Sequence, residues 1–64
     1  MKQKQGTNYT VLMKSASDLT RLNSYGQYGA ALNRAENLKR KYGKFSTFYV
    51  EISQKGKVLA QELV

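Results

Sequence analysis

Eleven Lys and Arg side chains and four carboxylates carry all the side-chain charge of this 64-residue chain, which has no His and no Cys. Catalysis at neutral pH needs groups that exchange protons, attack, or hold a metal. The four acids are scattered. Asp18 falls in a turn-like stretch, Glu36 on a polar helix face, Glu51 on the outer face of a strand and Glu62 near the C-terminus. No two are close in sequence, and each has a Lys or Arg nearby, so all four read as ordinary surface charge. No glycine loop is followed by the Lys-Ser/Thr pair that cradles phosphates. The stretch Tyr25-Gly-Gln-Tyr-Gly29 reads as a short loop, not a nucleotide fingerprint. Disulfides, zinc fingers and Cys- or His-based metal sites are excluded. A fold this small is expected to lack a pocket of the few hundred Å³ that a cofactor takes. The expectation is a chain that performs no chemistry of its own, with no cofactor and no metal.

The cations are better organised. Five of the 11, namely Arg34, Lys39, Arg40, Lys41 and Lys44, lie within one stretch that only Glu36 offsets. Phosphates are regularly spaced negative charges, and a ridge of long cationic side chains is what tracking them requires. Lys55, Lys57 and Lys14 extend the rim, and Lys2 and Lys4 lie on an N-terminal tail. The net charge of +7 on so small a surface attracts polyanions. Aromatic rings stand among the charges, and base stacking on such rings is the usual route to single-strand binding. Tyr28 and Tyr42 fall on an apolar helical stripe and are assigned to the core with Phe48. That leaves Tyr25 and Tyr49 as the exposed rings. The competing account of the cluster is a solvated helix end stabilised by its dipole.

The elements that position these residues follow from periodicity. Tyr9 to Lys14 alternates as a strand, with Tyr9, Val11 and Met13 on one face and Thr10, Leu12 and Lys14 on the other. Ser15 to Asp18 is a turn. Leu19 to Tyr25 reads as a second strand, with a helical turn capped at Ser17-Asp18 as the alternative. From Tyr28 or Gly29 a helix begins, with a Ser24/Gln27 capping box as the signal for an earlier start. Tyr28, Ala31, Leu32, Ala35, Leu38 and Tyr42 draw its apolar stripe. Gly43 is the expected positive-φ residue past its end. Ser46 to Ser53 alternates again, placing Phe48, Val50 and Ile52 opposite Thr47, Tyr49 and Glu51. A hairpin around Gly56 leads to a return strand over 58–63, a segment whose Ala, Gln, Glu and Leu also favour helix.

The resulting fold class is α+β in ββαββ order, with one amphipathic helix on one face of a three- or four-stranded, mostly antiparallel sheet. Residues 1–7 form a flexible basic tail and 8–64 a single small domain. The leading expectation is a non-enzymatic nucleic-acid-binding module acting through the helix cations. The alternative is a phage-like or mobile-element accessory or inhibitor protein. Such a protein binds an acidic partner or self-associates as a homodimer through the open sheet face, with Leu12, Tyr25 and Tyr49 as contacts. The absence of cysteine and of any long apolar stretch favours a cytoplasmic setting without membrane attachment.

Overall fold

The computed structural model describes residues 6–64. The first alternating segment forms β1 (Thr7–Ser15), which turns back on itself as β2 (Asp18–Tyr25). A helix, α1 (Tyr28–Tyr42), leads to a second hairpin of β3 (Thr47–Gln54) and β4 (Lys57–Leu63). The first strand of each hairpin lies inside, so the four-stranded sheet runs β2-β1-β3-β4 and every neighbour is antiparallel. The α+β class, the ββαββ order and the helix on the sheet are therefore as the periodicity indicates. The strand count is four, and residues 19–25 take the strand rather than the helical turn. β1 starts at Thr7, inside the stretch assigned to the tail, and the Gly6 carbonyl accepts from the Lys55 amide at 3.3 Å. The rest of that tail, including Lys2 and Lys4, lies outside the described residues.

Both hairpins close through two-residue loops. Lys55 and Gly56 take φ of 53° and 82°, the pair of positive values that a type I′ turn needs to match strand twist. In the first loop Ala16 carries φ 54° without a glycine's freedom. Two other local expectations are corrected. The Ser24/Gln27 capping box does not form. Ser24 belongs to β2 and its hydroxyl pairs with Thr10 at 2.9 Å, while Gln27 caps the helix with backbone only. Gly43 has φ −62°, so left-handed backbone is not the reason for a glycine there. The reason is space: a Cβ at Gly43 would run into the Lys39 carbonyl oxygen, which accepts the Gly43 amide at 2.8 Å.

The register places Tyr9, Val11 and Met13 beside Ile52, Val50 and Phe48 on the helix side of the sheet. Val11 and Val50 are fully buried against Ala31 and Ala35, with Tyr9, Tyr25, Leu32, Leu38 and Val64 packed around them. Alanine is what this contact needs, because a side chain of one carbon lets the helix backbone approach the sheet closely. The ends of the stripe fare differently. Tyr28 and Tyr42 are 39% and 48% exposed, so their assignment to the core is corrected. At its two ends the stripe runs past the buried core. Tyr28 instead meets Tyr9 edge-on at 5.8 Å and donates to Glu62 at 2.8 Å. That bond to the carboxylate raises the phenol's pKa above its usual 10.0. Titration of the phenol therefore removes the contact only as alkali carries the solution through the raised value.

Two backbone substitutions test this reading. Ala16→Gly relieves the left-handed backbone and is expected to stabilise the fold by about 0.5–1 kcal/mol, net of the glycine's entropy. Gly43→Ala is expected to destabilise by about 1–3 kcal/mol, as crowding in a packed site does. Urea unfolding monitored by circular dichroism measures both.

Candidate functional site

The helix ends where β1 ends and β3 begins. Hydrogen bonds from the Phe45 and Ser46 amides to the Tyr42 carbonyl, at 2.9 Å and 3.1 Å, fold the connection back on the last helical turn. Ser15 at the end of β1 ties to it through Ser46 Oγ at 2.9 Å. This geometry gathers Lys39, Arg40, Lys41 and Lys44 around one shallow depression that Gly43 and Phe45 complete. Lys44 and Phe45 also line a second depression on the sheet side, with Lys14, Ser46, Thr47 and Tyr49. All five cations are exposed, and none pairs with a carboxylate among the described residues. Their helix-dipole contribution is favourable too, since Lys39, Arg40 and Lys41 occupy the last turn. Arg34 is exposed two turns before Lys41 on nearly the same side, while Arg40 stands about 120° from it around the axis. The cations thus surround the helix end instead of forming a single straight ridge.

The remaining residues expected at the site divide. Lys55 and Lys57 sit at the β3–β4 turn, against the start of β1. That is the opposite end of the sheet, about 20 Å of strand away from Thr47. They do not join the cluster. Tyr25 packs against the core and Tyr49 is half-buried, so neither is the freely exposed ring expected of it. Leu12 lies on the open face, as the alternation indicates, but it is fully covered and cannot be a contact residue.

What covers Leu12 is a polar arrangement. The register sets Arg21 and Tyr49 on either side of it. Arg21 reaches from β2 across β1 to Glu51 on β3, and its Nη2 donates to both carboxylate oxygens at 3.1 Å and 2.9 Å. Gln61 on β4 donates to the same carboxylate at 2.9 Å. One side-chain belt therefore spans all four strands, and the arginine stem shields apolar surface beneath it. Glu51, assigned to ordinary surface charge by its sequence, is 3% exposed and fully hydrogen-bonded. Each of its partners stands at least 10 residues away, out of reach of local pattern.

Phe45 is the other residue that sequence reasoning passed over. It is 77% exposed, more than the other exposed large hydrophobic side chains. Its position just outside both the helix stripe and the β3 alternation is the signal that marks it: it belongs to neither core-facing pattern. The depressions on this surface, from 240 Å³ to 640 Å³, are all open to solvent. Among the described residues no three carboxylates converge, and no helix is long and apolar enough to cross a membrane.

Removing Arg21 tests the belt. Arg21→Ala leaves a buried carboxylate short of a charge partner and uncovers Leu12. The expected cost is about 2 kcal/mol, below the full value for a buried pair because the arginine is largely exposed. Arg21→Met keeps the cover over Leu12 and should cost less in the same urea titration.

The chain matches no protein-family model, no curated protein sequence and no solved structure, so its functional reading rests on the site itself.

Proposed function

We propose that this chain is a non-enzymatic nucleic-acid-binding module that holds phosphates with Lys39, Arg40, Lys41 and Lys44 at the helix end, extended by Arg34 and Lys14. One observation carries the reading. These six cations are exposed and free of carboxylate partners among the described residues, while the ion pair Arg21–Glu51 lies on the sheet face. Unneutralised cations gathered around an open depression supply the sequence-independent affinity by which phosphate backbones are held. Lys55 and Lys57 lie too far away to share the same short segment of backbone. They take part only if a longer chain runs along the molecule.

A second reading draws on a different surface. Leu19, Val58 and Leu63 are 50%, 51% and 67% exposed, and their register partners Lys14, Ser53 and Tyr49 place them on the open sheet face. A protein partner or a second copy laid over that face would cover them. This is the accessory-protein alternative, with Leu63 replacing Leu12 as its contact residue.

Two experiments separate these readings. Fluorescence anisotropy with mixed single-stranded and duplex oligonucleotides should show binding that weakens steeply with salt. The double change Arg40→Glu, Lys41→Glu should make the slope of log K against log salt shallower by about 1.4–1.8 while the circular dichroism spectrum is unchanged. Absence of binding at low salt would end the proposal. Sedimentation analysis addresses the second reading: a dimer that Leu63→Lys converts to monomer supports self-association. A wild-type chain that stays monomeric at high concentration argues against it.

A further inference from the structure

We infer that the nucleic acid taken at this site is single-stranded, with one base stacked on Phe45 and its neighbouring phosphates held in the two depressions that meet at that ring. This rests on the phosphate-binding reading above and adds the class of strand and the residue that selects it.

Three observations converge on Phe45. The ring stands in water at 77% exposure, so it contributes little to the core. Its backbone is nevertheless fixed: the amide bonds to the Tyr42 carbonyl at 2.9 Å, and its own carbonyl accepts from Ser15 Oγ at 3.5 Å. The ring is thus carried on an ordered turn, so that binding has only the side chain left to order. It is also the place where cations lie on both sides. Lys39, Arg40 and Lys41 line the helix-side depression, Lys14 lines the sheet-side one, and Lys44 beside Phe45 lines both.

A duplex can use such a ring only at the cost of unstacking a base step, about a few kcal/mol. Its bases are stacked on each other and its phosphates face outward, so contact with it needs cations alone. An unpaired base offers a free π-face, and any base will serve. A strand crossing from the helix-side depression to the sheet side, where half-buried Tyr49 lines the wall, passes over Phe45 with a phosphate-binding group before and after it.

The chain contains no Trp, so Phe45→Trp installs a single tryptophan reporter at the ring. Titration with a 12-residue oligothymidylate should quench that fluorescence. Inorganic polyphosphate, which has the phosphate charges but no bases, should bind without quenching it. Phe45→Ala and Phe45→Leu should each weaken oligothymidylate binding about tenfold, the range set by loss of one stacked base. Polyphosphate affinity should stay within twofold for both variants. Lys44→Glu should weaken both ligands. Thermal melts of the Phe45 variants close to wild type confirm that the exposed ring was not holding the fold. Unchanged oligothymidylate affinity in Phe45→Ala, or an equal loss toward polyphosphate, would overturn the inference. A wild-type chain that binds polyphosphate and duplex but not oligothymidylate removes the stacked base and leaves the phosphate reading standing. One that binds none of the three removes both.

Discussion

Ala31 and Ala35 resting on Val11 and Val50 is the contact on which the remaining architecture depends. A chain of this length buries a smaller share of its surface than larger domains do, so its core is one thin layer. Four small or medium side chains hold the helix close to the two central strands. With the helix fixed there, its last turn must fall beside the end of β1 and the start of β3. The cationic cluster is therefore a product of helix placement as much as of composition.

The two faces of the sheet solve the same problem differently. The helix face excludes water with aliphatic and aromatic side chains. The opposite face has no second layer, and Arg21, Glu51 and Gln61 lay a belt of hydrogen bonds across it while Leu12 stays dry underneath. This arrangement has an electrostatic result. Glu51 is tied to Arg21 and Glu62 to the Tyr28 hydroxyl, leaving Asp18 and Glu36 as the acids without such partners among the described residues. Glu36 lines a depression with Lys39 and Arg40 and tempers the positive field at the helix end, where cations still outnumber it.

Much of this was legible in the residues. Period-two alternation in 9–14 and 46–53 and the three-and-four spacing of 28–42 are direct consequences of strand and helix geometry, and they located the elements and their faces. The cations of the helix end were visible for the same reason. What escaped was everything that depends on contacts distant in sequence. Glu51 looks solvated until Arg21 is brought to it by a hairpin register and a crossing of β1. Lys55 and Lys57 look close to Lys44 along the chain, yet a full strand length separates them. Phe45 belongs to neither the helix stripe nor the β3 alternation, and the turn that holds it leaves the ring in water. Gly43 was rightly expected at the helix end, but for its backbone angle, when the constraint is the room left by a carbonyl.

Each outer strand carries an irregularity. The pairing of β2 with β1 slips between Thr10 and Leu12, and that of β4 with β3 slips between Ile52 and Ser53. Bulges of this kind bend a rim and break its hydrogen-bonding rhythm, so another molecule's backbone finds a poor template along either margin. Two copies brought edge to edge would therefore not extend one sheet into the next without first straightening those margins.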